Sequence, residues 1–86
     1  MQINGETWKI VRKPLYRHAL MGRCFHKARK IEICSTLTGD ELADTFLHEV
    51  LHACAKGVFQ DEFEEAFIGR VTPTLLFALK GLGWVR

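Results

Sequence analysis

Thr45-Phe46-Leu47-His48-Glu49-Val50-Leu51-His52-Ala53 is the stretch on which the reading of this chain turns. It lies in a run with helical signals at both ends. Upstream, Thr38-Gly39-Asp40-Glu41 matches a capping box, with Thr38 as N-cap and Glu41 reaching back. Downstream, Gly57 is placed to stop the run as a C′ glycine. A helix over residues 42–56 is therefore expected. Within it, Ala43, Leu47, Val50, Leu51 and Cys54 fall on the side away from His48 and His52. The apolar side should enter a core and leave the two histidines facing elsewhere.

The spacing carries chemistry. Residues four apart on a helix lie one turn above each other, so His48 and His52 can bind one tetrahedral zinc ion. Glu49 is rotated about a hundred degrees from His48. It can reach a water on the metal without being a ligand, and take its proton. The bland alternative is a pair of surface histidines beside a solvated glutamate. A third protein ligand is needed if the fourth position is to hold water. No third histidine follows closely. His18 and His26 lie upstream, and Glu62, Glu64 and Glu65 lie downstream on a second helical segment.

The remaining chain reads as strands before helices. Residues 3–11 suit a strand or ribbon with Asn4-Gly5 as a turn, and Pro14 breaks it. Residues 24–28 and 30–34 suit two short strands. In the second, Ile31 and Ile33 alternate with Glu32, the pattern of one buried and one wet face. Asp61-Glu62-Phe63-Glu64 opens a second helix running toward Leu79 and ended by Gly81 and Gly83, with Pro73 expected to kink or split it. The fold class expected is α+β, one domain over residues 1–86.

Composition bounds the rest. Hydrophobic residues make up 48% and charged residues 26%, an ordinary soluble balance. The net charge of +2 is too small to argue for nucleic acid or an anionic membrane. Basic residues gather early, from Lys9 to Lys30, and acidic ones between Asp40 and Glu65, which reads as solvated surface. No apolar run is long enough to span a bilayer and no signal peptide opens the chain. With three cysteines, Cys24, Cys34 and Cys54, this implies reduced thiols, small buried side chains and a cytoplasmic location.

Thr45 to Ala53 resembles the "T-L-L-H-E-x-x-H-A" core of small metallopeptidase-like proteins of phages and bacteria. Met21-Gly22-Arg23-Cys24 with Lys30-Ile31-Glu32-Ile33 is similar to that family's "G-x-c … I-x-I" strands. Glu65-Ala66-Phe67-Ile68-Gly69-Arg70-Val71-Thr72-Pro73-Thr74-Leu75 is similar to its "E-x-V-V-x-x-L-x-P-x-L" helix. Broader relatives are SprT-like proteases and antirepressor-cleaving metallopeptidases of the ImmA/IrrE type. The resemblance covers residues 20–80 and implies a minimal zincin-like domain of gluzincin type.

It further implies one Zn2+ per chain on His48, His52 and Glu65, with Glu49 as general base and a peptide or protein substrate. The helical wheel competes with it over the third ligand. Glu64 is in line with Ile68, Val71 and Leu75, where a carboxylate needs a partner. Glu65 shares a face with the small Gly69 and Thr72, and the resemblance aligns it. Glu65 is the choice on both counts, and Glu64→Ala is then expected to leave zinc binding nearly intact. Tyr16, His18, His26 and Arg70 are the candidate oxyanion stabilisers. An edge strand near the site, over residues 23–28, would take an extended substrate by main-chain pairing. The competing reading is a zinc-binding but catalytically silent interaction module, its site completed by a partner protein.

Overall fold

The computed structural model describes residues 1–55 and 61–83, and Asp61 by its backbone alone. Gly57 and the Asp61 side chain, expected to stop the first helix and cap the second, lie outside the described residues. The chain opens with a hairpin of β1 (Gln2–Ile3) and β2 (Glu6–Thr7). Asn4 and Gly5 form its turn at φ 51° and 78°, the left-handed pair that a two-residue hairpin needs. Then comes β3 (Lys9–Lys13). Pro14 ends it, having no N–H to pair, and a short 3-10 helix (Leu15–His18) follows.

A second hairpin is formed by β4 (Gly22–Phe25) and β5 (Lys30–Cys34). The sheet order is β3-β5-β4, with β3 parallel and β4 antiparallel to the central β5. β4 thus occupies 22–25, not the expected 24–28, and is an edge strand. Two helices complete the fold: α1 (Gly39–Cys54) and α2 (Asp61–Gly81). The fold is mixed α+β, as expected. Among the described residues, no helix is long and apolar enough to cross a membrane.

Both faces of β5 are buried. Ile31 and Ile33 join Ile3, Trp8, Leu15, Cys34, Leu37 and Ala53 in the core. Glu32 points the other way, yet it is only 1% exposed, so the expectation of a wet face fails. Arg23, directly opposite on β4, reaches it at 2.5 Å, with Lys13 at 3.1 Å and Lys30 at 3.2 Å. These three side chains, from three strands, cover it. Part of the early basic cluster therefore serves a buried carboxylate.

α1 lies on the Ile31 and Ile33 face, because Gly22, in register with Ile33, points at Thr45 and Glu49. Its deepest row is Thr45, Glu49 and Ala53, at helical spacing of four. Val50 packs at the core edge, and Ala43, Leu47 and Val50 line an apolar cavity of about 240 Å³ together with Leu76 and Leu79 of α2. Cys54 is exposed and Cys24 half-buried, so only Cys34 fills the buried role expected of all three; each is a free thiol.

The entry to α1 departs from a capping box. Thr38 is the N-cap, but its side chain makes no cap hydrogen bond. Gly39 enters at φ 57°, so the first position is not yet helical, and a cap side chain reaches the second and third N–H groups only when it is. α2 continues through Pro73, so of the expected kink or split the split does not occur. One residue before the proline, the Thr72 hydroxyl donates to the Ile68 carbonyl at 2.6 Å.

Candidate metal centre

α1 and α2 are antiparallel: Lys80, at the end of α2, pairs with Asp40 at the start of α1 at 2.8 Å, while Glu64 and Glu65 meet His52 and His48. Each pairing follows from helix periodicity. Ile68, buried, and Val71 and Leu75, half-buried, give α2 its inner face, and Glu64 sits on that line one turn earlier. Glu65 is a residue further round, at the edge of the interface, with 65% of its side chain exposed.

The cluster is close. The two Nε2 atoms of His48 and His52 are 3.2 Å apart. The Glu65 carboxylate brings one oxygen to 3.3 Å from His48 Nε2 and the other to 3.0 Å from His52 Nε2. Ligand atoms on a tetrahedral zinc with bonds of about 2.0–2.1 Å stand roughly 3.3–3.4 Å apart. The pairwise distances are near that spacing, with the two edges to Glu65 ending on different oxygens, and the nitrogen and oxygen donors suit zinc among other first-row metals. Each offers a ligand atom within 4.8 Å of the others. Glu64 takes the opposite edge of the His52 ring, with Oε2 2.6 Å from Nδ1.

Glu49 stands beside this group and is not part of it. It is 8% exposed, turned toward β4. Burial pushes its carboxyl above the ordinary carboxylate range; the charges of His48 and His52 pull it back and Glu65 adds to the rise. Cys24, on β4, is pushed up to about 11 by burial and then by the charges of Glu49 and Glu64, so it is a neutral thiol facing the same region. A cleft of about 280 Å³ opens next to His48 and Glu49, lined also by residues 19–22, Asp44 and Thr45.

None of Tyr16, His18, His26 or Arg70 lines this cleft. His26 instead meets Trp8 edge-on at 6.0 Å between ring centroids. Of Gly22, Asp44 and Thr45, which do line it, Gly22 and Thr45 entered the sequence reading only as members of the family-like stretches, and Asp44 was not singled out. A glycine leading into a strand is a further, weak sign of close backbone approach. Comparison with family models, with curated proteins and with solved structures gives no match.

Proposed function

We propose that this chain is a zinc-dependent peptide hydrolase, a minimal zincin-like domain of gluzincin type. The observation that carries the reading is the cluster of His48 Nε2, His52 Nε2 and the Glu65 carboxylate, whose two oxygens lie 3.3 Å and 3.0 Å from the two nitrogens and which offers one ligand atom per residue within 4.8 Å. His48, His52 and Glu65 would hold the ion. Zinc, when bound, supplies a Lewis acid that polarises a carbonyl and lowers the pKa of a water to about 7.

The chain's own residues supply the rest. Glu49 is adjacent, buried and outside the ligand set, so its carboxylate holds and releases a proton at the cleft floor. Its raised pKa has the sign a proton acceptor working near neutrality needs. The cleft beside it borders β4, an edge strand whose free main-chain groups can pair with an extended peptide. Pairing of that kind orients a backbone with little regard to side chains.

Glu49→Gln tests the reading. The variant should keep the fold and bind zinc as the parent does, yet lose hydrolysis of a casein or mixed-peptide substrate by at least about a hundredfold. Full activity in Glu49→Gln would refute the proton role. Stoichiometric zinc with no turnover by either protein would leave the silent binding module as the correct description.

A further inference from the structure

We propose that Glu64 is a positioning residue: it fixes His52 as the tautomer protonated on Nδ1 and so presents Nε2 as a bare lone pair to His48 and Glu65. The inference rests on the metal reading above and adds to it how the ring of one ligand is aimed.

The geometry is specific. Glu64 Oε2 lies 2.6 Å from His52 Nδ1, the shortest of the contacts that join the two helices at this cluster. A carboxylate accepts hydrogen bonds and donates none, so Nδ1–H must donate. Both side chains are 13% exposed, which leaves little room for water to compete. Glu64 is held there by α2 packing, being one turn ahead of the buried Ile68 on the inner face.

The consequence falls on the other edge of the ring. With Nδ1 protonated, the neutral imidazole has no proton on Nε2. That nitrogen then faces Glu65 Oε2 at 3.0 Å, one acceptor against another. His48 cannot relieve this, because a proton on its Nε2 serves Glu65 Oε1 at 3.3 Å or His52 Nε2 at 3.2 Å and not the gap between Glu65 Oε2 and His52. A second proton on His52, making an imidazolium that donates to both carboxylates, satisfies these two contacts without metal; a metal ion among the three groups takes the place of that proton and engages His48 as well. Glu64 thus holds the ring so that the Nε2 position, whether filled by a proton or by metal, faces Glu65 and His48.

Adjacent residues on a helix are about a hundred degrees apart, which is why Glu64 and Glu65 reach opposite edges of one imidazole. The expectation that Glu64→Ala leaves zinc binding intact is revised accordingly. Loss of a carboxylate that orients a histidine ligand costs roughly 10–100-fold in metal affinity.

The experiment reads the His52 ring by long-range 1H–15N correlation in metal-free protein, at about pH 9 so that ordinary imidazoles are neutral. Zinc affinity is measured in parallel by competition with a chromophoric chelator. The parent should show His52 protonated on Nδ1. Glu64→Ala should lose that preference and bind zinc roughly 10–100-fold more weakly, and Glu64→Gln, whose amide oxygen still accepts, should recover most of both. A neutral His52 ring protonated on Nε2 alone in the parent overturns the proposal, and this reading needs no variant to fold. Unchanged tautomer and affinity in Glu64→Ala also overturn it. If the tautomer shifts as expected but the parent takes no zinc, the hold of Glu64 on the ring stands and the metal reading is what fails.

Discussion

Gly22 sets how near β4 comes to the face of α1 that carries Glu49. A Cβ there would lie 2.9 Å from Thr45 Cγ2, 3.2 Å from Glu49 Cγ and 3.3 Å from the Glu32 carbonyl oxygen. The first of these is closer than real contacts allow, and the carbonyl belongs to the central strand and cannot move aside. Gly22→Ala should therefore destabilise by about 1–3 kcal/mol, the usual cost of overpacking. Adding Thr45→Ser removes the nearest methyl and should restore part of the loss. Urea titrations of both single variants and the double variant measure it; a neutral Gly22→Ala, or strictly additive effects, would show that this contact does not set the spacing. At this scale, His48, Glu49 and His52 were legible because helical periodicity alone relates them. Gly22 was not, since its role is defined by a helix twenty residues away in sequence.

Among the elements, β5 differs most from what its alternation implies. Ile31-Glu32-Ile33 has the period of a strand with one wet side, yet Glu32 is enclosed by Lys13, Arg23 and Lys30. Burial pushes its carboxyl up, but hydrogen bonds from Arg23, Lys13 and Lys30, with the Arg23 charge, outweigh this and lower the pKa from 4.5 to about 2. The folded value lies below the unfolded one. The carboxylate's contribution to stability is thus whole above about pH 4.5 and lost as pH falls toward 2. Glu32→Gln should be less stable than the parent at neutral pH, and the gap should close across that window. Denaturant midpoints taken from pH 7 to 2 test it; a gap independent of pH would mean that the ion pairs contribute nothing. Hydropathy cannot reveal such burial, because two of the three cations that permit it, Lys13 and Arg23, come from other strands. α1 was legible as an element, while its entry was not: Gly39 takes φ 57° and leaves the Thr38 side chain without its expected bond.

For the molecule as a whole, the metal would join the two helices, since His48 and His52 belong to α1 and Glu65 to α2. An ion that binds only the folded chain adds RT ln(1 + [Zn]/Kd), about 2.7 kcal/mol at a hundredfold excess over Kd. In a domain of this size that corresponds to a rise in Tm of roughly 10–20 °C. Calorimetric scans with zinc and with chelator should differ by that amount, and Glu65→Ala should lose most of the difference. Coincident scans would mean that no ion bridges the helices. Local rules determined much of this protein from sequence: the Asn4-Gly5 turn, the break at Pro14, the strand over 30–34, two helices, and two histidines with a glutamate on one helix. Tertiary structure decided what those rules cannot reach. The antiparallel packing of α2 on α1 chose between neighbouring glutamates, sending Glu65 to the Nε2 side of His52 and Glu64 to the Nδ1 side. Periodicity fixes directions within an element, and only packing fixes the distances between elements on which a site depends.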